Sequence, residues 1–233
     1  GISSEPIVDC PDGLRISGHS GDLRHWPGYA EGHWCVQDCS AQWIAPLLQP
    51  QPGDRILDAC AAPGGKATHL AELVGDQAEI WAVDRSPGRL KRVAANAARL
   101  GLASINALAA DATNLLEEHP QWRESFQRIL IDAPCSGLGT LARHPDARWR
   151  VTPQSIRGLL PLQQALLDGL VPLLAPAGSL VYATCTIHPD ENHAQVQALL
   201  KRHPSLRLEE ESQRWPDQAS GGDGFYSAVL QRV

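Results

Sequence analysis

Short apolar runs alternate with stretches of helical periodicity from about residue 41 to the end of the chain. The runs have the length and apolar content of buried strands, and the stretches between them repeat apolar positions every three to four residues. The pattern predicts strands over 55–59, 79–83, 107–110, 128–131 and 179–183. It predicts helices over 66–73, 87–100, 154–174 and 192–202.

This alternation indicates an α/β fold, built on a parallel sheet that helices cover on both faces. Two further strands are predicted near the C-terminus, over 206–209 and 224–230, joined by a polar, glycine-rich loop. Their hairpin-like arrangement would make the last strands antiparallel. We therefore expect a Rossmann-like, doubly wound, seven-stranded sheet.

Residues 1–40 differ from the rest of the chain. They are rich in Gly, His, Trp and Pro and show little periodicity beyond possible short strands over 7–8 and 14–16. A helix is predicted to begin at Ser40 and to stop before Pro50. We expect an irregular lead-in over 1–40 and one domain over 41–233. Because the chain starts at Gly1 and contains no Met, we also expect it to be a piece of a longer protein.

The first predicted strand of the sheet leads into a loop of small residues, which reads D-A-C-A-A-P-G-G-K over 58–66. Glycine lets the backbone approach a ligand closely, and ligands of open α/β sheets bind at the carboxyl ends of the strands. The loop is neither a G-x-G-x-x-G fingerprint nor a phosphate-binding G-x-x-x-x-G-K-[ST] motif. A ligand without phosphates is therefore favoured over a dinucleotide or a triphosphate.

Acidic residues follow the next two strands. Asp84 lies where a carboxylate commonly accepts hydrogen bonds from both ribose hydroxyls, and Asp111 can meet an adenine amino group. Either residue alone could be a helix N-cap, and Asp84 precedes Ser86 and Pro87 as an N-cap would. Three consecutive strands that end in this way favour an adenosine-shaped pocket.

Two cysteines follow the fourth and fifth strands. The segment I-D-A-P-C-S-G over 131–137 contains Asp132 and Cys135, and the segment A-T-C-T contains Cys185. A lone cysteine at a strand end is most often a small buried hydrophobe. Two on adjacent strands beside a nucleotide pocket favour covalent chemistry, because a thiolate can add to a carbon and later be expelled. The pattern alone does not rank the two.

Composition and charge limit the class of protein. The chain has 233 residues, of which 43% are hydrophobic and 20% charged, as in ordinary globular proteins. No apolar run approaches the roughly 20 residues that cross a bilayer, so we expect a cytoplasmic protein without a membrane partner. The net charge of −6 argues against a broad electrostatic grip on nucleic acid. One stretch could still form a cationic strip, or merely a solvated helix flank: Arg143, His144, Arg148, Trp149, Arg150 and Arg157.

The other cysteines raise the question of a metal. In the cytoplasm thiols stay reduced, so we expect no disulfides. His33, Cys35 and Cys39 lie close together in the sequence, and Cys10 could supply a fourth ligand. Their spacing matches none of the usual zinc motifs, so we predict no metal.

Three blocks, 58–66, 132–137 and 183–186, resemble the signatures of the Nop/Sun family of RNA cytosine-C5 methyltransferases, and most of all its bacterial Sun-type members that act on small-subunit ribosomal RNA. Further similar blocks are V-Q-D-C-S-A-Q over 36–42, R-H-P-D over 143–146, H-P-D-E-N over 188–192 and G-D-G-F-Y over 222–226. The resemblance implies a methyltransferase sheet, S-adenosylmethionine as cofactor and RNA as partner, with ribosomal RNA favoured. Residues 1–40 would then be the remnant of an RNA-binding region.

The resemblance also implies roles for the site residues. Cys185 would attack the base, and Cys135 would assist release of the methylated product. Cytosine carbon 5 is a poor nucleophile, so a thiolate must first add at carbon 6. Asp132 would donate a proton to N3, which requires desolvated surroundings that raise its pKa. The cofactor pocket would consist of Cys60, Ala61, Ala62, Pro63, Gly64, Gly65, Lys66, Asp84, Arg89, Asp111 and Asp132.

Other functions remain open at this point. The substrate could be another RNA such as tRNA, or the methyl acceptor could be an amine, with both cysteines structural. A non-catalytic, cofactor-binding ribosome assembly factor is a further alternative. The sequence identifies neither the target nucleotide nor the oligomeric state, though nothing in it requires more than a monomer.

Overall fold

The computed structural model describes residues 3–8, 10–16, 21–217 and 222–233, and its centre is a β-sheet. The strands are β1 Ser4–Ile7, β2 Cys10–Ile16, β3 Arg55–Asp58, β4 Glu79–Asp84, β5 Ile105–Ala109, β6 Phe126–Asp132, β7 Leu174–Thr184, β8 Leu206–Arg214 and β9 Phe225–Arg232. The α-helices are α1 Cys39–Gln42, α2 Ile44–Leu47, α3 Gly65–Leu73, α4 Pro87–Arg99, α5 Leu115–Glu118, α6 Ala147–Arg150, α7 Pro153–Leu170 and α8 His193–Arg202.

The sheet has seven strands in the order β5-β4-β3-β6-β7-β9-β8. The pairs from β5 to β7 are parallel, and β9 is antiparallel to both of its neighbours. The predicted Rossmann-like, doubly wound sheet with antiparallel strands at its end is thus confirmed. The strand order reverses between β3 and β6, and such a reversal opens a crevice at the carboxyl ends of the strands.

Alternating side chains of each central strand pack on opposite faces. On β6, Ile129 and Ile131 join a core cluster with residues of α5, α7 and α8, whereas Leu130 between them packs with residues of α2 and α3. Val93 of α4 packs with Ala82 of β4 and with α3. Helices α1 to α4 therefore cover one face, and α5, α7 and α8 cover the other.

The structure differs from the predicted helices in two places. The helix predicted from Ser40 is two short helices, α1 and α2, separated at Trp43. Pro46 has no N–H to donate to the carbonyl four residues earlier, which favours the break. Helix α7 begins at Pro153 with a capping box between Thr152 and Ser155, but it ends at Leu170 rather than at residue 174.

The N-terminal segment contains more regular structure than expected. Strands β1 and β2 form an antiparallel hairpin, with Ser4 paired to Ile16, where short strands over 7–8 and 14–16 were predicted. The predicted lead-in also includes residues 1–2, 9 and 17–20, which lie outside the described residues, as does part of the predicted loop at 218–221. In the described part of the chain, no helix combines the length and apolar character that crossing a membrane requires.

Candidate active site

Both cysteines of the sequence motifs lie at the edge of the sheet where the parallel strands end. β6 and β7 are neighbours, with Asp132 paired to Ala183. Cys135 follows β6 and Cys185 follows β7, so short connections bring the two side chains together. Their Sγ atoms are 3.4 Å apart, and both residues are partly exposed free thiols. The strand topology therefore creates a thiol pair at the rim of the crevice.

The two thiols differ in acidity. The hydrogen bond with Cys135 lowers the pKa of Cys185, and the charge of Lys66 acts in the same direction, against burial and the charge of Asp132. The same hydrogen bond raises the pKa of Cys135 well above its usual value, and burial adds to this. Because the thiolate is the nucleophilic form, the pair favours Cys185 as nucleophile and keeps a proton on Cys135. The sequence pattern alone does not give this ranking.

Lys66 links the 58–66 segment to the thiol pair. Its Nζ lies 2.6 Å from Oδ2 of Asp132 and 5.1 Å from the centre of the Phe225 ring. Burial alone would lower the pKa of Lys66, but the contact with Asp132 raises it. Asp132 thus faces an ammonium group rather than the apolar surroundings expected of a proton-donating carboxyl. The two side chains form a charged pair beside Cys185.

Asp84 ends β4 and is buried. Its Oδ1 accepts a hydrogen bond from the backbone N–H of Ser86 at 2.9 Å, and its Oδ2 lies 3.4 Å from Nη1 of Arg89. The N-cap of α4 is Ser86, whose Oγ accepts from the N–H of Arg89, so Asp84 is not itself the cap. Arg89, predicted for the cofactor pocket, thus forms an ion pair with Asp84.

Asp111 lies just beyond the end of β5. Its Oδ1 accepts from the N–H of Thr113 at 3.0 Å and from the Thr113 hydroxyl at 2.8 Å. Although burial works in the opposite direction, these hydrogen bonds lower the pKa of Asp111. Its Oδ2 lies 3.5 Å from Nε of Arg85. A charged carboxylate therefore lies at this end of the crevice, and its Oδ1 is already hydrogen-bonded to Thr113 in the same turn.

The loop between β3 and α3 packs tightly against α4. Gly64 has a φ of +110°, and a Cβ added there would lie 3.0 Å from the Cα of Val93, so the position requires glycine. The carbonyl of Ala62 accepts from Nη2 of Arg89 at 2.5 Å. Burial and three neighbouring carboxylates raise the pKa of Cys60, which is therefore a neutral thiol. Of the other residues predicted for the pocket, Ala61 and Pro63 lie in the same loop and Gly65 is the first residue of α3.

Asp58 is a feature of the site to which the sequence gave no role. It ends β3, it is fully buried, and neither carboxylate oxygen has a hydrogen-bond partner among the described residues. Burial, followed by the charge of Asp132, raises the pKa of Asp58 to about 7, while Lys66 opposes the shift. Its position as the first residue of the 58–66 segment was a signal, but the sequence could not show that its carboxylate lacks hydrogen-bond partners among the described residues.

The rim suits a cationic nucleoside better than a phosphorylated one. Asp84, Asp111 and Asp132 each bring an acidic group to the strand ends, and Asp58 adds another beneath them. Such a concentration of acidic groups repels phosphate and attracts hydroxyl, amine and cationic groups. S-adenosylmethionine carries ribose hydroxyls, an ammonium and a sulfonium but no phosphate. The donor and acceptor chemistry of these residues therefore fits that cofactor.

The stretch predicted as a cationic strip divides into two parts. Arg143 forms an ion pair with Asp223, whose side chain is almost fully buried, and lies 3.8 Å from Asp38. Trp149 is 82% exposed, and Arg148 and Arg150 beside it are also exposed. Arg143 thus fastens the segment to the protein, while the α6 residues face solvent.

Cys10 and Cys35 take no part in the thiol pair. The Sγ of Cys10 donates to Oε1 of Gln42 at 2.9 Å, and Cys35 is exposed. All six cysteines are free thiols. Across 3–8, 10–16, 21–217 and 222–233, no three His, Cys, Asp or Glu side chains are placed to share a metal ion, including the candidate group at Cys35 and Cys39.

The chain is similar to known methyltransferases in sequence. The model of the family described as 16S rRNA methyltransferase RsmB/F matches residues 45–231. A protein of Synechocystis sp. named "Probable ribosomal RNA small subunit methyltransferase B" is 50% identical over 208 residues, which cover 89% of this chain and 46% of that protein. The chain spans about half the length of the curated relatives it matches.

The fold is similar to solved structures as well. The crystal structure of PH0851 matches 99% of this chain and 54% of its own, with 31% identity and a TM-score of 0.94. A structure of NSun6 from Pyrococcus horikoshii with SFG, an S-adenosylmethionine analogue, matches 94% of this chain and 59% of its own, with 28% identity and a TM-score of 0.83.

Proposed function

Because this chain belongs to the RsmB/F family of 16S ribosomal RNA methyltransferases, we propose that it transfers a methyl group from S-adenosylmethionine to carbon 5 of a cytosine in RNA. Small-subunit ribosomal RNA is the proposed substrate, as the names of the relatives suggest. One observation carries the chemistry. The Sγ atoms of Cys135 and Cys185 lie 3.4 Å apart beside a rim rich in carboxylates, and the pKa is raised for Cys135 and lowered for Cys185.

The proposed pocket holds the cofactor with residues from three strand ends. Asp84 would accept hydrogen bonds from the ribose hydroxyls, and Asp111 would accept one from the adenine amino group. The small loop residues around Gly64 let the cofactor approach the backbone. When bound there, S-adenosylmethionine would supply an electrophilic methyl group for transfer to carbon 5. The analogue in the NSun6 structure supports the same cofactor here.

Cys185 begins the proposed reaction. Its thiolate forms a bond to carbon 6 of cytosine, and the displaced electron pair of the C5–C6 double bond makes carbon 5 nucleophilic. Lys66 and Asp132 stand beside Cys185 as a charged pair. The ammonium of Lys66 can donate a hydrogen bond as negative charge develops toward N3, so the pair takes the part that the sequence gave to Asp132 alone.

Cys135 completes the reaction after methyl transfer. The carbon 5 proton must leave with a base, after which the C6–S bond breaks and the Cys185 thiolate is expelled. The hydrogen bond to Cys185 is the largest cause of the raised pKa of Cys135. Once Cys185 is bonded to the base, that hydrogen bond to a thiolate no longer exists. Formation of the adduct thus lowers the pKa of Cys135, so that its thiol can release its proton to solvent and the resulting thiolate can accept the carbon 5 proton.

The remaining parts of the proposal follow from the substrate. Trp149, Arg148 and Arg150 form an exposed patch in which an aromatic ring can stack on a base between cationic side chains. Residues 1–40 would belong to an RNA-binding region and 41–233 to the methyltransferase domain. A monomer in the cytoplasm, without a metal, is the proposed working form.

Transfer of labelled methyl groups tests this function. The protein is incubated with labelled S-adenosylmethionine and either small-subunit ribosomal RNA or tRNA, and the RNA is digested to nucleosides. We expect the label in 5-methylcytidine from the ribosomal RNA. The Cys35→Ala variant, altered at an exposed cysteine outside the site, should behave as the wild type. Label in a nucleoside methylated on an amine, or no label from either RNA, would contradict the proposal.

A further inference from the structure

The H-P-D-E-N block over 188–192 has no part in the reaction described above, yet it contacts both cysteine segments. Glu191 is fully buried before the start of α8. Its Oε1 accepts hydrogen bonds from the N–H of Ser136 at 2.8 Å and from Nε2 of Gln163 at 3.1 Å. Its Oε2 accepts from the hydroxyl of Ser136 at 2.5 Å and from that of Thr186 at 3.1 Å.

These contacts join the two thiols through their chain neighbours. Ser136 directly follows Cys135, and Thr186 directly follows Cys185. The two hydroxyls are also 2.9 Å from each other, so both hydroxyl oxygens and Oε2 of Glu191 lie within hydrogen-bond distance of one another. A single carboxylate therefore spans the ends of β6 and β7 at the point where the thiols meet.

Asn192 strengthens the hold on the Cys185 side. Its Nδ2 donates to the carbonyl of Thr186 at 3.0 Å, and its Oδ1 accepts from the hydroxyl of Thr184 at 2.6 Å. Both residues that flank Cys185 are thus bonded to one side chain. The backbone around the Cys185 sulfur has little freedom to move relative to Cys135.

The charge of Glu191 is bound by donors that belong to the site. A buried carboxylate is unfavourable unless hydrogen bonds compensate its lost hydration. In the described chain, Glu191 takes part in no ion pair, and none of the four donors belongs to α8, so its side chain does not cap the helix that follows it. The donors come from the two cysteine segments and from α7. The hydrogen bonds of this buried carboxylate therefore hold the two cysteine segments in place relative to each other.

We propose that Glu191 is a positioning residue that sets the distance between the Cys135 and Cys185 sulfur atoms, acting through Ser136 and Thr186. The role of this distance in catalysis rests on the proposed function, but the distance and the acidity of Cys185 can be tested without methyl transfer. If the carboxylate acceptor is lost, the Cys135 segment is released from the Cys185 segment, and the hydrogen bond between the sulfurs lengthens. Cys185 then becomes a weaker acid, because that bond is the main support of its thiolate.

The Glu191→Gln variant tests the inference, with Asp190→Asn as its matched control. Glutamine has nearly the same shape as glutamate, but its amide group places N–H donors against the N–H and hydroxyl donors of Ser136. The rate at which Cys185 is alkylated is measured against pH by mass spectrometry of its peptide, without RNA. We expect the midpoint to move up by about one pH unit and the rate at neutral pH to fall about tenfold. Asp190 is an exposed neighbour, so Asp190→Asn should keep the wild-type profile.

A second change distinguishes positioning from folding. Ser136→Ala combined with Thr186→Val removes hydroxyl donors and leaves Glu191 in place, and it should shift the alkylation midpoint in the same direction. If Glu191→Gln does not fold, this variant alone decides the question. A lower Tm with an unchanged midpoint would mean a purely structural role and overturn the inference.

The two proposals fail separately. A shifted midpoint in a protein that makes no 5-methylcytidine would support the positioning role of Glu191 and contradict the proposed reaction. Formation of 5-methylcytidine with an unshifted midpoint in Glu191→Gln would contradict the positioning role alone.

Discussion

The chemistry of single residues in the site depends on ionisable groups that are buried away from water. Asp58 is fully buried, Cys185 has Cys135 and Lys66 to stabilise its thiolate, and Asp132 has Lys66. The sequence placed these side chains at strand ends, because parallel strands end at one edge. It could not give their partners, since Lys66 and Asp132 are 66 positions apart and no local pattern encodes the contact.

The Asp58→Asn variant should change how stability depends on pH. Folding raises the pKa of Asp58 from its usual value near 4 to about 7, so the folded state binds an extra proton between these values. The contribution of Asp58 to stability should be greatest below about pH 4 and be lost as pH rises to about 7, by about 1.4 kcal/mol per pKa unit at most. The Asp58→Asn variant should not lose stability in this way, because asparagine does not titrate.

Thermal unfolding at several pH values measures the effect. We expect the Asn variant to have the higher Tm at pH 8 and the difference to shrink toward pH 5. Asp76→Asn provides a control of opposite sign, because hydrogen bonds from Ala103 and Ser104 outweigh burial and lower the pKa of Asp76. Parallel Tm curves for the wild type and the Asp58 variant would contradict the account.

At the level of elements, buried apolar runs made the central strands predictable. β3, β4 and β6 contain the predicted runs almost residue for residue, because each run is buried on both faces. The boundary between α7 and β7 was misplaced, since the apolar residues from Leu170 to Ala175 suit a helix and a strand equally. The short helices α5 and α6 have too few residues to show a period.

The packing of the segment after Cys135 depends on a glycine. The N–H of Gly139 donates to the carbonyl of Cys185 at 3.0 Å, and its own carbonyl accepts from Gly224 at 2.8 Å. A Cβ on Gly139 would lie 2.8 Å from the Cys185 carbonyl and closer still to the Gly224 carbonyl. Gly139→Ala should therefore separate the segments and reduce methyl transfer at least tenfold, as measured by incorporation of labelled methyl groups.

Gly158→Ala is the control for this change. Gly158 lies within α7, where an added Cβ meets open space, so the variant should keep full activity and gain up to about 1 kcal/mol of stability. Full activity of Gly139→Ala would show that the segment tolerates displacement, contrary to the prediction.

For the whole molecule, the proposed RNA substrate requires a local binding surface, because the protein as a whole is acidic. The net charge is −6, yet α6 exposes Arg148, Trp149 and Arg150. Arg148→Gln should weaken RNA binding and reduce the dependence of log affinity on log salt concentration by about one unit. Trp149→Ala should cost about 1–3 kcal/mol of binding energy, whereas Trp149→Phe keeps most of the stacking.

Equilibrium binding at several salt concentrations checks this prediction. Arg123→Gln removes an exposed charge just before β6, at the opposite edge of the sheet, and should leave the salt dependence unchanged. If Arg123→Gln and Arg148→Gln reduce the slope equally, α6 is not the contact surface.

The central claim is that the thiolate of Cys185 bonds to the base and that Cys135 is needed to release it. Intact-mass analysis of denatured protein after incubation with S-adenosylmethionine and small-subunit ribosomal RNA tests it directly. We predict that Cys135→Ala accumulates a covalent protein–RNA adduct, and that Cys185→Ala and the double variant form none. An adduct in Cys185→Ala, or none in a folded Cys135→Ala protein, would contradict the account.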